Sequence, residues 1–565
     1  MSTDDTQPVS HDRAHRAALW GGMLALLTLA AVAYWYAVND VPSGSGDEGN
    51  WMNLGYRLTR GMPIQLPVEA RFVTTLFARI IGLSFGLFGV SLGAARGALG
   101  LCVLVGAACV FALCSRMRLR ALGLALCAPL LLHPWTVCWS RSVVVPYPIS
   151  LMLAVLGPLA WLYALHDIDL QKHKQKQTLA LVLAGQILVF GLHFSPFALV
   201  PSAVCGLWLF VHSDGRRALR TPGPWLALAA MLAHAAPIAV NAFAVVGQSQ
   251  RTDRLRDLSE RTRNLARSLM DGLSGEQTVR DYAGDNAHAS LGVLPSRVLV
   301  VLVLCACIAW LLRVHSRRAL TGVLGALTRF APMYLTLSVL LFPWVLAPAR
   351  DWWLATIDSE RYLFVILAPA ALLLATTAVT LRAREGIALV SALTLYFALG
   401  PNLRIARYFW HGGDVDHGYF SAHSGGGYRG YKVVAGPRSL TTAVLNACHQ
   451  EAAGRPMVIL LDDYAFHPIR VLVRAAPTHQ LRVVYLRDAT LSEGERVCVP
   501  VWPSDMFAPG HVPGSVVTRN ERLRAMSVGL AQSRKIAAFS QPNGRALLDV
   551  FVGHLRASLV PEHGP

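Results

Sequence analysis

Asp47 and Glu48 are adjacent carboxylates that follow a Gly/Ser-rich stretch, Pro42–Gly46. After them come Trp51, Leu54 and Leu58 at one-face helical spacing, and Gly61 and Pro63 close the pattern. The pair therefore belongs at a helix N-terminus, where unsatisfied N–H groups favour negative charge. Two uses fit that place: an N-cap with a dipole-stabilised neighbour, or a general base or metal ligand held ionised. His411, His417 and His423 recur every six residues among glycines, with Asp414 and Asp416 between them. Imidazole and carboxylate suit a transition ion. Six is not a helical spacing, and a Gly-rich loop does not preorganise ligands, so a surface loop near a site mouth is the expectation. Gly425, Gly427 and Gly430 satisfy G-x-G-x-x-G, but neither the preceding strand nor the following helix that a dinucleotide fingerprint needs is present. Cys448 and Cys498 are the two cysteines outside the apolar runs, and they pair only if their region lies in an oxidising compartment.

The elements that carry these residues follow from composition. The chain has 565 residues, 54% hydrophobic and 15% charged, against roughly 25% charged in an ordinary soluble domain. That excludes a purely soluble enzyme and a disordered chain. What remains is a polytopic α-helical membrane protein. Apolar runs long enough to cross a bilayer are read at 17–38, 91–114, 121–138, 147–165, 178–194, 196–212, 224–246, 297–313, 321–346, 362–381 and 386–400. An amphipathic run, 72–88, is expected to lie at the interface.

The net charge of +18 is spread over short connectors rather than gathered on a soluble surface. Arg116, Arg118 and Arg120 form one cluster, and Lys172, Lys174 and Lys176 another. Arg216, Arg217 and Arg220, then Arg313, Arg317 and Arg318, then Arg382 and Arg384 complete the set. With a cytoplasmic N-terminus, all five clusters fall on the cytoplasmic side, as the positive-inside rule requires. The charge thus reads as topology, and no nucleic-acid partner is expected. Residues 1–17 are then a cytoplasmic tail, and 18–400 a transmembrane domain with outer loops 39–90 and 247–296. Residues 401–565 are an extracytoplasmic soluble α/β domain. In that domain Met457–Leu461, Leu481–Leu486 and Lys535–Phe539 read as strands, with helices near Leu440–Ala453, Asn520–Gln532 and Arg545–Leu559. Asp462-Asp463 follow the first strand. The six arginines between Arg251 and Arg267 read as a charged helix at the membrane surface, with internal ion pairs or a contact to anionic lipid headgroups.

Several short motifs recur in a particular order. A first span leads to Gly46-Asp47-Glu48, then Gly-Tyr-Arg-Leu-Thr-Arg-Gly-Met-Pro at 55–63. The amphipathic run follows, with Leu87-Phe88-Gly89-Val90-Ser91 ahead of Ala95-Arg96. Trp139-Ser140-Arg141 precedes one span, and Ser359-Glu360-Arg361-Tyr362-Leu363 opens a late one. This order resembles the GT-C membrane glycosyltransferases, the group of protein O-mannosyltransferases and aminoarabinose transferases. The resemblance implies a cytoplasmic-membrane enzyme of the cell envelope. It would transfer a sugar with inversion from a polyprenyl-phosphate donor to an acceptor hydroxyl of a glycan, lipid or protein on the outer face. It makes Asp47 the catalytic base, with Glu48 beside it. It also implies that Arg57, Arg141, Arg361 and Tyr362 contact the donor's lipid phosphate. Taken singly, these arginines fit interface anchoring equally well.

Two departures bear on the implied chemistry. The loop before the fourth span, Ser-Arg-Ser-Val-Val-Val-Pro-Tyr at 140–147, has no carboxylate, and Pro369 comes several residues after the Arg361-Tyr362 pair. The missing carboxylate leaves few ligands for a divalent cation. Two other functions stay open: a lipid-linked glycan transporter or flippase, and a non-catalytic interaction protein that keeps the fold.

Overall fold

A computed structural model describes residues 7–36, 46–63, 75–143, 146–248, 270–276, 278–279, 293–317, 320–346, 363–406, 440–461, 467–476, 480–486, 491–501, 514–540 and 546–556. The described elements of the first 400 residues are all helices. The helices are α1 (Gln7–Trp35), α2 (Gly46–Thr59), α3 (Leu76–Phe88), α4 (Leu92–Arg116), α5 (Arg120–Leu132) and α6 (Pro134–Ser140). Then come α7 (Tyr147–His166), α8 (Lys174–Phe190), α9 (Leu199–Val211), α10 (Ser213–Ala218) and α11 (Pro222–Gln248). The set closes with α12 (Val293–Arg317), α13 (Gly322–Leu346), α14 (Phe364–Thr380) and α15 (Ala383–Phe397). Each expected span falls on a helix. Seven described helices are individually long and apolar enough to cross a membrane, or eight if α5 and α6, bent by 64° to each other, form one span. The bend has a local cause. Pro134 starts α6 and forces His133 into an extended conformation, and the His133 ring caps the new helix by accepting from Trp135 N–H at 3.2 Å.

The bundle has two distinct ends. At one, Arg116 Nε donates to Tyr163 Oη at 3.2 Å, His166 lies 3.7 Å from Asp214, and Trp310 Nε1 donates to Thr380 Oγ1 at 3.1 Å. These contacts join the connectors of the five basic clusters, apart from Arg318, which lies outside the described residues. The N-terminal half of α1 runs beside this end, with Trp20 edge-on to Phe111. The far end of α1 lies at the other pole, where Tyr34 Oη donates to Leu131 O at 3.0 Å. Between the poles the core is apolar, with Trp135, Trp161, Phe111, Phe330 and Tyr334 almost fully buried.

The C-terminal region builds one five-stranded sheet from β1 (Met457–Leu461), β2 (Leu481–Tyr485), β3 (Arg496–Val501), β4 (Ala531–Ser540) and β5 (Ala546–His554). Strand order is β2-β1-β3-β5-β4. β1 pairs in parallel with β2 and β3, while β3–β5 and β5–β4 are antiparallel. Helices α16 (Leu440–Ala452), α17 (His467–Ala475) and α18 (Gly514–Gly529) accompany it, and Cys448 and Cys498 are joined as a disulfide between α16 and β3. The helix expected over Arg545–Leu559 is instead strand β5. Its buried residues Leu548, Val550 and Val552 have period two, and that face packs with Val444 of α16 and Ile469 of α17 while β3 pairs along its edge. Arg496–Val501 escapes the sequence reading because Pro500 argues against a strand interior.

Candidate active site

The acidic pair opens α2 at the pole opposite the basic clusters. Asp47 is the second residue of that helix, and its side chain lies outside the described residues. Glu48 follows it and is fully buried. Arg96 Nε donates to Glu48 Oε1 at 2.7 Å, and Arg96 Nη2 donates to Oε2 at 2.8 Å. Both side chains are 0% exposed. A third bond comes from Val143 N–H to Oε1 at 3.0 Å. This bidentate fork, closed by a backbone donor, is the strong form of the carboxylate–guanidinium contact. It ties together α2, the start of α4 and the loop after α6, segments 48 and 95 residues apart in sequence.

Local sequence explains how each partner is held. Ser91 caps α4 by accepting from Ala94 N–H at 3.0 Å, which fixes Arg96 in the following turn. Leu92, Ala95 and Leu99 bury the same face of α4. Helix α2 is clamped on two sides. Against α3 the backbones meet at Gly55 and Gly82, where a Cβ on Gly55 would sit 2.7 Å from Ile81 Cγ2. Against α17, Tyr56 Oη donates to Arg474 O at 3.1 Å, and Val471 joins the cluster of Trp51, Met52, Leu54, Phe77 and Phe85.

The other expected residues have definite places. Arg141 is half-buried and donates from Nη1 to Ala33 O at 2.5 Å and from Nη2 to Tyr36 O at 2.6 Å. It therefore caps the C-terminus of α1, where a cation is favoured, and a lipid phosphate would meet a side chain already engaged there. Arg57 lies nine residues beyond Glu48, roughly 14 Å along the helix, and the structure does not bring it to the Glu48–Arg96 pair. It acts instead on Arg474, whose guanidinium is lowered from its usual value by burial first and then by the charge of Arg470, with Arg57 adding to it. Arg361, Tyr362, His411, His417, His423 and Asp462-Asp463 lie outside the described residues, as do the arginines from Arg251 to Arg267.

Two further buried carboxylates stand at this pole, both in the short described part of the 247–296 loop. Asp271, 1% exposed, receives Arg297 Nε and Nη2 at 2.5 and 2.6 Å. Glu276 accepts from Arg404 Nη2 at 2.7 Å and from Tyr396 Oη at 3.4 Å. The segment wedges beside the α5–α6 break, where His133 Nε2 is 3.3 Å from Leu273 O and Gly275 sits at φ +80° against Pro134. Only glycine fits there, since a Cβ would lie 2.4 Å from Pro134 Cγ. Gly272 packs against Leu363, the residue that follows Arg361-Tyr362. Sequence reasoning missed these pairs and the role of Arg96. The available signal was acidic residues, Asp271 and Glu276, amid the small and apolar residues 270–275.

The described residues at this pole offer few free ligands to a divalent cation. Each described carboxylate here is already paired with an arginine, and among the described residues no three His, Cys or carboxylate ligands converge at this end.

The sequence matches no protein-family model, and it matches no curated protein. Solved structures do match. ArnT from Cupriavidus metallidurans, crystallised with undecaprenyl phosphate, aligns over 96% of this chain and 99% of its own at 14% identity, with a TM-score of 0.50. Its apo form gives 12% identity over the same shares and a TM-score of 0.51. The fold is GT-C. The Archaeoglobus fulgidus oligosaccharyltransferase in complex with Zn and sulfate aligns over 81% of this chain and 62% of its own, at 13% identity and a TM-score of 0.40.

Proposed function

We propose that the protein is an inverting glycosyltransferase of the cytoplasmic membrane. It moves a sugar from a polyprenyl phosphate to an acceptor hydroxyl at the outer face. The observation that carries this reading is the buried Glu48–Arg96 fork, which locks the N-terminal turn of α2 directly beside Asp47. A near-full-length GT-C fold, one of whose neighbours holds undecaprenyl phosphate, supports it. The orientation is supported by the five basic clusters at the opposite pole and by the Cys448–Cys498 disulfide, a bond that persists in oxidising compartments. Residues 1–17, 18–400 and 401–565 are then the cytoplasmic tail, the eleven-span GT-C domain and the extracytoplasmic α/β domain.

In this reading Asp47 takes the proton of the acceptor hydroxyl as its oxygen attacks the sugar's anomeric carbon. The bond from that carbon to the phosphate oxygen breaks on the opposite face. Its electron pair leaves with the polyprenyl phosphate, and the configuration inverts. Glu48 is a positioning residue, because its lone pairs are engaged by Arg96 and Val143. Arg361 supplies positive charge near the leaving phosphate and Tyr362 a hydroxyl, while Arg141 holds the C-terminus of α1. No step is routed through a metal.

The test is transfer in isolated membranes supplied with a panel of labelled polyprenyl-phosphate sugars. The expected result is release of polyprenyl phosphate together with an inverted glycosidic product. Folded, inserted protein that releases no polyprenyl phosphate from any donor would refute the proposal and favour a transporter or a binding module.

A further inference from the structure

The basic pole carries a cluster that glycosyl transfer does not use. α7 ends on His166, His212 follows α9, and Asp214 lies in α10. His166 Nδ1 and His212 Nδ1 are each 3.7 Å from Asp214 Oδ2, and one ligand atom from each of the three residues fits within 4.8 Å of the others. The two histidines are 6% and 8% exposed, and Nε2 of each ring is buried without a hydrogen-bond partner. Trp208 stacks on the His212 ring at 4.3 Å and fixes its orientation.

At 3.7 Å the rings and the carboxylate are too far apart to hydrogen-bond to one another. Both Nδ1 atoms approach one carboxylate oxygen with no side-chain hydrogen bond between them, and both Nε2 atoms are buried without a partner, a combination that points to a ligand held by the cluster. A tetrahedral ion with ligands at 2.0–2.2 Å separates them by about 3.3 Å, a few tenths of an ångström from the observed spacing. Nδ1 of His212 also accepts a long 3.3 Å bond from Asp214 N–H, which a metal bond would replace. Arg217 is 3.8 Å from Asp214, and Arg216, Arg329 and His315 act on the rings electrostatically. A site with one carboxylate amid positive charge suits an ion with affinity for imidazole over a hard, carboxylate-seeking one.

We infer that His166, His212 and Asp214 bind a zinc-like divalent ion, which clips the ends of α7, α9 and α10 together at the pole opposite Glu48. Three protein ligands leave a fourth position for water or another donor. This inference is independent of the glycosyltransferase reading.

The experiment uses untagged full-length protein in detergent, stripped with chelator and titrated with Co(II) and then Zn(II). It reads the visible absorption of bound Co(II) and the metal content after dialysis. The wild type should retain one equivalent and melt at a higher temperature with metal than without. His212→Gln and Asp214→Asn should each weaken binding at least tenfold and abolish the metal-dependent rise in melting temperature. His417→Ala should change neither. Should His212→Gln fail to fold, the half-exposed Asp214→Asn still decides. A wild type that retains no stoichiometric ion would overturn the inference. So would an ion that survives Asp214→Asn, or one that is lost in His417→Ala.

Discussion

The two poles of the bundle treat charge in opposite ways. At the Glu48 pole, the described carboxylates sit in the interior and each is met by an arginine: Glu48 by Arg96, Asp271 by Arg297, Glu276 by Arg404. At the basic pole, pairs such as Lys172–Asp169 and Arg217–Asp214 lie in solvent, with Lys172 66% and Arg217 81% exposed. The exposed pairs are screened and do little for stability. The buried forks fix geometry, because neither partner can relax into water. A catalytic carboxylate needs that kind of support within a few tenths of an ångström. Under the proposed function, the rigidly held pole carries the chemistry and the solvated one the topological signal.

Substitutions can break this comparison in graded steps. The largest effect should come from Arg96→Leu, which strands a buried Glu48. It should cost about 3–5 kcal/mol and abolish transfer, read by thermal melting and by the membrane assay. Adding Glu48→Leu should recover much of the stability and none of the activity, which separates folding from positioning. Next is Arg404→Met, which leaves Glu276 with Tyr396 but no charge partner. Because Arg404 is 20% exposed, the cost should fall to about 2–3 kcal/mol. Arg141→Ala removes two charged bonds to the end of α1 and should cost about 1–2 kcal/mol. The smallest effect should be Lys172→Ala, within about 0.5 kcal/mol. A loss at Lys172 as large as that at Arg96 would erase the distinction between the poles.

Much of the scaffold was legible in the sequence, for a physical reason. Apolar length and clustered positive charge are local signals, so the apolar helices and the grouping of their connectors could be read directly. The start of α2 at Asp47-Glu48 was legible for the same reason, through the glycine-rich approach and the one-face spacing of Trp51, Leu54 and Leu58. Met457–Leu461 was readable as a buried strand because five apolar residues are too few for a helix. Strand β5 was misread because Leu-Leu-Asp-Val-Phe-Val suits either period until β3 lies beside it. The ion pairs were illegible because their partners are far apart in the chain: 48 residues for Glu48–Arg96 and 128 for Glu276–Arg404. Arg96 was visible as part of a motif, but only the folded chain shows that it holds Glu48.

The most direct test of the account is sugar transfer by Asp47→Asn at matched expression, with donor binding and melting temperature measured alongside. Asparagine keeps the shape of the side chain and removes its basicity. The account predicts transfer reduced by about a hundredfold or more, the scale of a lost general base, with donor binding and stability unchanged. Transfer at the wild-type rate would contradict it and return Asp47 to the role of a helix cap.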